Sequence, residues 1–280
     1  MRKRFTKDIR RMVIKIGTSV LTKSGQFDKK ILESLSAQIA QFLKKGIQVY
    51  VVSSGAIGSG MTILKLRSRP KTMEGLQAAA AAGQRYLMQC YEQAFSKYGF
   101  STAQVLLTWD DLARRKRFLN AKRTLAQIQK WGLVPIINEN DTVATDEIRF
   151  GDNDRLSSLL SILVEADLLV ILSDTNGFYS AASAAKPGGR LAIVRNMGNS
   201  LFSHVRDRRN SFTVGGMRSK LNAIRLSAGA GIPVFLANGR DKKVLSRLFQ
   251  GEDLGTLFVP KSGKARAKKN WLKHFISAIG

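Results

Sequence analysis

The sequence predicts an α/β fold in which a largely parallel sheet is covered by helices on both faces. Three observations predict it. Short apolar runs alternate along the chain with longer stretches of helical periodicity, the pattern of parallel strands joined by crossover helices. Several of those runs end in small or polar residues, where open α/β sheets place their ligands. At 280 residues and 44% hydrophobic, the chain is long enough to bury a substantial core.

The first strand is Met12 to Ile16, entered from a basic segment. A helix over Asp28 to Lys44 follows, with Ile31, Leu35, Ile39 and Phe42 on one face. Ile47 to Val52 is the second strand. It runs into Ser53-Ser54-Gly55-Ala56 and a small-residue stretch to Gly60 that opens the next helix. Glu74 to Lys97 reads as a helix, Thr102 to Leu107 as a strand, Phe118 to Trp131 as a helix and Leu133 to Asn138 as a strand. Then come a helix over Arg155 to Glu165, a strand over Leu168 to Leu172, a helix over Gly216 to Ala230, a strand over Pro233 to Leu236 and a helix over Lys242 to Phe249. Two segments break the rhythm: Thr142 to Phe150, which suits a short hairpin or lid, and Asn176 to Asn210, which is rich in Gly, Ala, Ser and Arg. After Thr256-Leu257-Phe258 the chain turns basic, Lys261 to Lys269, and reads as a solvated tail with a last helical turn at Trp271 to Ile276. There is no internal repeat.

Charge excludes less than it suggests. Lys and Arg number 46 against 20 acids, a net +26, clustered at Arg2 to Arg11, Arg67 to Lys71, Arg114 to Arg117, Arg206 to Arg209 and Lys261 to Lys273. Such a field attracts nucleic acid or anionic lipid nonspecifically. No aromatic-interleaved basic motif and no zinc spacing accompany it, so the clusters read as solvated faces, with no specific nucleic-acid partner. The single cysteine, Cys90, rules out an intrachain disulfide and reads as a structural thiol on a helix. Met1-Arg2-Lys3-Arg4 begins like a signal peptide, but the apolar run breaks at Lys15. The longest greasy region, Leu159 to Leu172, is interrupted by Glu165 and Asp167. A cytoplasmic protein with no membrane contact is expected.

Against that basic background, Glu139, Asp141, Asp146, Glu147, Asp152 and Asp154 concentrate six of the twenty carboxylates near one strand end. A cationic guest is the simplest reason. Lys15-Ile16-Gly17 puts an ammonium beside a turning backbone, a setting suited to phosphate oxygens and also common at strand ends. Ser53 to Gly60 fits either tight strand-to-helix packing or an anion at a helix N-terminus. Gly215-Gly216-Met217-Arg218-Ser219-Lys220 opens a helix with a second lysine in its first turn. Ile171-Leu172-Ser173-Asp174 ends another strand in a polar turn. Two glycine-rich loops, two lysines and one acid cluster at the strand ends of a single sheet suggest phosphoryl transfer.

Val13 to Ser19, Ser53 to Ala56, Ile137-Asn138-Glu139-Asn140-Asp141, Gly151-Asp152-Asn153-Asp154, Gly215-Gly216-Met217 and the segment Arg117-Phe118-Leu119-Asn120-Ala121 together resemble the glutamate 5-kinase branch of the amino acid kinase family, over about residues 10 to 259. The resemblance implies a three-layer αβα sandwich and ATP-dependent phosphorylation of the side-chain carboxylate of L-glutamate, on the route to proline. It implies Lys15 and Lys220 at the phosphates, with Asp154, the third catalytic residue, organising either the lysines or the metal-bound nucleotide. Ser54, Asp141 and Asn153 are implied to hold glutamate. For ATP it implies Lys15, Gly17, Ser173, Asp174, Val214, Gly215, Gly216, Met217, Arg218, Ser219 and Lys220. Mg²⁺ is expected to arrive with ATP and to take no ligand directly from the protein, and a homo-oligomer, dimer or tetramer, is implied. His204 and His274 are expected to have no site role, because an anionic carboxylate needs no general base. The kinase domain is expected over residues 1–259, with a basic tail over 260–280 and no PUA domain. The chain departs from the family's pattern in two segments: in the nucleotide loop Val214 stands where a Thr is usual and Ser219 precedes Lys220, and after Tyr179 the usual Asp-Pro is missing, the chain reading Ser180-Ala181-Ala182-Ser183. A weakly active or regulatory homologue is therefore the alternative reading.

Overall fold

A computed structural model describes residues 2–144, 153–180, 189–198, 201 and 216–260. The order is a 3₁₀ turn Arg2–Phe5, β1 Arg11–Ile16, α1 Thr18–Leu21, β2 Thr22–Lys23, β3 Gln26–Phe27, α2 Lys29–Lys44, β4 Gln48–Ser53, α3 Ala56–Ile63, α4 Met73–Ser96 and β5 Thr102–Leu107. It continues with α5 Trp109–Ala113, α6 Arg115–Lys130, β6 Val134–Glu139, α7 Asn153–Leu163, β7 Leu168–Ser173, β8 Ile193–Val194, α8 Met217–Gly229, β9 Val234–Asn238, α9 Val244–Phe249 and β10 Thr256–Phe258. Polar caps fix several helix starts: Asp28 accepts from the Ile31 N–H, Thr72 from the Gly75 N–H, and Thr108 and Asp111 form a reciprocal box at α5.

Eight strands form one sheet in the order β5-β6-β4-β1-β7-β9-β10-β8, and a separate hairpin pairs β2 with β3. Every described pairing in the large sheet is parallel except β9 with β10. Helices pack on both faces, as a largely parallel sheet requires. On one face Met12, Ile14 and Ile16 of β1 join Leu35 and Ile39 of α2, Leu87 and Tyr91 of α4, and Leu245 and Leu248 of α9. On the other, Val13 of β1 joins Leu125 of α6, Leu156 and Leu160 of α7, and Leu221 and Ile224 of α8. The period of two along β1 thus turns Lys15 to the same side as Val13, toward α7 and α8. Register sets Lys15 opposite Val52 and Ile171, and Ile16 opposite Ser53 and Leu172, so β4, β1 and β7 end level.

Three differences from expectation have physical reasons. The helix expected from Arg155 starts at Asn153. Its first two residues are polar and buried, so apolar periodicity appears only from Leu156. The entry segment is not all solvated: the Arg2 guanidinium is buried and donates to the carbonyls of Ala192, Glu252, Leu254 and Gly255. Two-residue β8, within the segment of weak periodicity, is too short to leave a pattern. By contrast, Arg114 and Arg117 stay exposed and pair with Asp110 and Asp111 at the surface. Cys90 is a buried free thiol. Among the described residues no helix is long and apolar enough to cross a membrane. The expected lid beyond Ala144 and the basic tail lie outside the described residues.

The helices α3 and α4 cross in backbone contact. A Cβ at Gly60 would lie 1.8 Å from the Ala79 carbonyl oxygen, and one at Gly83 would lie 1.9 Å from the Ala56 oxygen. No rotamer change relieves such contacts, because the obstructing atoms are main chain. Gly83→Ala is expected to destabilise the fold by about 1–3 kcal/mol in spite of alanine's better helix propensity. A urea titration checks it, and an unchanged midpoint would mean that the crossing can open at no cost.

Candidate active site

Three charged side chains meet at the carboxyl end of the sheet. Lys15 Nζ lies 2.7 Å from Asp154 Oδ1, and Lys220 Nζ lies 3.1 Å from Asp154 Oδ2. The side chains are 6%, 12% and 2% exposed for Lys15, Lys220 and Asp154. Each comes from a different element: β1 by strand alternation, α8 from its first turn, and α7 from its second residue. Ions this deeply buried persist only when paired, and here one carboxylate serves two ammonium groups. The cluster therefore carries net positive charge. Burial pushes the Asp154 carboxyl upward, but the charges and hydrogen bonds of Lys15 and Lys220 outweigh it and hold the pKa down at about 2.

Beside this cluster lies a chain of buried amides. Asn153 Nδ2 donates to the Ser53 carbonyl at 2.8 Å, to Ser54 Oγ at 3.0 Å and to Asn138 Oδ1 at 2.9 Å. Asn138 Oδ1 also accepts from the Glu139 N–H, and Asn138 Nδ2 donates to Gln84 Oε1 at 2.8 Å. The Ser53 hydroxyl meets the buried Tyr91 hydroxyl at 2.9 Å. Among the described residues, Asn153 Oδ1 has no hydrogen-bond partner although it is buried. An unmatched buried acceptor costs stability and suits a ligand's donor.

Backbone completes the rim. The Gly17 N–H is spent on the Leu172 carbonyl and the Ser54 N–H on the Ile16 carbonyl, so neither of these two amides is bare. What Gly17 contributes is space: a Cβ there would sit 3.4 Å from Lys15 Nζ. Gly55, at φ +96°, makes the left-handed turn that starts α3, whose first N–H groups have no acceptor in the helix. Gly216 precedes α8 in extended backbone, followed by Met217, Arg218, Ser219 and Lys220 in the first turn.

The structure thus brings together Lys15, Lys220, Asp154, Asn153 and Ser54. It places Ser173 and Asp174 at the end of β7, next to β1, with the Ser173 hydroxyl donating to Asp174 Oδ1 at 3.1 Å. Asp141 lies in the turn just after β6, and its charge acts on the half-buried Arg69. Asp146, Glu147, Asp152, Val214, Gly215, His204 and His274 lie outside the described residues. Sequence reasoning did not single out Asn138 or Gln84. A polar residue at the end of an apolar strand was the signal for Asn138, whereas Gln84 sits in an alanine-rich helix that offers none. Among the described residues no group of three or more His, Cys, Asp or Glu side chains could hold a metal ion.

A model of the amino acid kinase family matches residues 10–238. The chain belongs to the amino acid kinase family. Within the family it is similar to a protein named glutamate 5-kinase in Geobacter sulfurreducens, 43% identical over 282 residues, covering 100% of this chain and 76% of that relative. A protein of the same name in Chromohalobacter salexigens is 46% identical over 264 residues, 94% of this chain and 70% of its own length. Among solved structures, UMP kinase from Bacillus anthracis superposes with a TM-score of 0.57 at 15% identity, covering 91% of this chain and 97% of its own. At that identity the likeness shows the shared family fold, a mainly parallel sheet between helices.

Asp154→Asn would leave two buried ammonium groups facing an amide. It is expected to cost about 3 kcal/mol or more at pH 7, read by chemical denaturation. The folded pKa is depressed from 3.8 to about 2, so the unfolded chain binds the proton first as pH falls. The stabilisation is therefore present above about pH 4 and is lost toward pH 2. The stability gap between wild type and variant should close across that window; a gap independent of pH would contradict the ionised bridge.

Proposed function

We propose that the protein uses ATP to phosphorylate the γ-carboxylate of L-glutamate, forming L-glutamyl 5-phosphate, the first step of proline biosynthesis. The observation that carries this reading is the buried Lys15–Asp154–Lys220 bridge beside the chain of buried amides, in a protein whose relatives named glutamate 5-kinase match it over nearly its whole length. The γ-carboxylate is already the nucleophile at neutral pH. A bond forms between its oxygen and the γ-phosphorus, the bond to the β,γ-bridging oxygen breaks, and ADP leaves with that electron pair. The barrier is the approach of an anion to a polyanion. Lys15 and Lys220 offset that repulsion from opposite sides of the transferring group, and Asp154 keeps both oriented.

Asp141 and the unmatched Asn153 Oδ1 receive the substrate's ammonium group, while the Ser54 hydroxyl and the first turn of α3 face its carboxylate. Ser173, Asp174, Gly17 and the loop from Val214 through Gly215 and Gly216 to Met217, Arg218, Ser219 and Lys220 hold the nucleotide. Mg²⁺ would arrive with ATP and would supply positive charge at its phosphates, while both oxygens of Asp154 face lysines. We take residues 1–259 as the kinase domain, the protein as a cytoplasmic homo-oligomer, and Val214 as a modest handicap in nucleotide binding.

Incubation with ATP, Mg²⁺, L-glutamate and hydroxylamine traps the acyl phosphate as a coloured hydroxamate; well-folded protein that yields none would overturn the proposal. Lys220→Ala is expected to lower kcat by about 100-fold or more with little change in the glutamate KM, the loss typical of removing one transition-state contact. Asp141→Ala is expected to act the other way, raising the glutamate KM by about 10-fold or more. Equal, small effects from both would contradict the assigned roles. Val214→Thr should lower the ATP KM if the missing hydroxyl matters.

A further inference from the structure

Gln84's neighbour Gly83 makes the backbone contact with Ala56 and Gly60 that holds this part of α4 against α3, and Gln84 follows it immediately. The residue is 8% exposed and belongs to no role assigned above. Its amide orientation follows from the network. The Glu139 N–H can only donate, so the Asn138 atom it meets at 2.9 Å is Oδ1. The other end of Asn138 is then Nδ2, which needs an acceptor, and that acceptor is Gln84 Oε1 at 2.8 Å. What remains is Gln84 Nε2, a buried donor without a hydrogen-bond partner among the described residues. Asn153 Oδ1, two hydrogen bonds further along the same chain, is a buried acceptor in the same condition.

An unmatched acceptor and an unmatched donor, tied to one rigid amide chain, complement the two charged ends of an α-amino acid: ammonium for the acceptor, carboxylate for the donor. We infer that Gln84 is a specificity-determining residue whose Nε2 donates to the substrate's α-carboxylate while its Oε1 fixes Asn138, and through it Asn153. This rests on the glutamate reading. It adds a group by which the site tells an α-amino acid from a plain carboxylic acid. The carboxylate would satisfy a donor that otherwise stays buried and unpaired, so the gain exceeds that of an exposed contact.

The test compares Gln84→Met, which keeps length and removes both polar atoms, with Gln84→Glu, which keeps the Oε1 acceptor and replaces the donor. L-Glutamate binding is measured by calorimetry and by hydroxamate formation, and 4-aminobutanoate, which lacks only the α-carboxylate, is measured as a competitor. Both variants should weaken glutamate about 10-fold or more while kcat and the ATP KM stay within about twofold. In Gln84→Glu, which still holds Asn138 and through it Asn153, affinity for 4-aminobutanoate should stay near wild type, whereas Gln84→Met should weaken it too. Equal weakening of both ligands in Gln84→Glu would mean that Gln84 only supports the fold of the site, and a wild-type glutamate affinity in Gln84→Glu would show that the acceptor alone matters; either overturns the inference. Because binding is read separately from turnover, wild-type protein that binds glutamate without making hydroxamate would sink the kinase reading and leave this one tested. Wild-type protein that binds no glutamate would sink both.

Discussion

The rest of the structure is arranged around one buried carboxylate. Asp154 takes an ammonium on each oxygen, and three separate elements must be placed correctly for that to happen. β1 must hold its pleat so that Lys15 faces α7 and α8 instead of the layer of α2 and α4. α7 must begin at Asn153, so that Asp154 lies in its first turn. α8 must begin beside it with Lys220 in its own first turn. A lone buried ion would be costly enough to reject this geometry, whereas the shared bridge turns the cost into a constraint on how the elements dock. It also leaves the site net positive, the polarity that an incoming phosphate requires.

The amides next to the bridge do a different task without adding charge. Asn153 is committed through its nitrogen to Ser53, Ser54 and Asn138, so its oxygen is held still and unmatched. Carboxylates in the same places would be drawn to Lys15 and Lys220 and would cancel their positive charge. Neutral amides instead give direction while leaving the field of the lysines intact. The close crossing of α3 and α4 at Gly60 and Gly83 brings the far end of this chain into place, so a packing feature remote from the charges shapes the ligand side.

Much of this was legible in the sequence because buried parallel strands are apolar at consecutive positions. Met12 to Ile16 and Leu168 to Leu172 stand out on that ground, and their polar ends marked Lys15 and Ser173. The start of α7 was not legible, since Asn153 and Asp154 are polar residues at positions where burial normally selects apolar ones. The clamp made by Arg2 was invisible for another reason. Its partners are backbone carbonyls distant in sequence, and a carbonyl leaves no trace in side-chain identity. Gln84 was hidden in the same way, a single amide in an alanine-rich helix whose importance depends on what its neighbour Asn138 donates to. The net charge of +26, conspicuous in composition, explains little of the architecture, because exposed groups such as Arg114 and Arg117 pair with nearby surface acids.

The central claim, that one carboxylate holds two lysines poised over the transferring phosphoryl group, is tested most directly by a crystal structure with ADP, Mg²⁺, L-glutamate and an aluminium fluoride mimic of that group. The account predicts both ammonium groups within hydrogen-bond distance of the fluoride ligands, with Asp154 still bridging them from behind. A structure in which either lysine stays turned away from the mimic, or in which Asp154 leaves the lysines to ligate the metal, would contradict it.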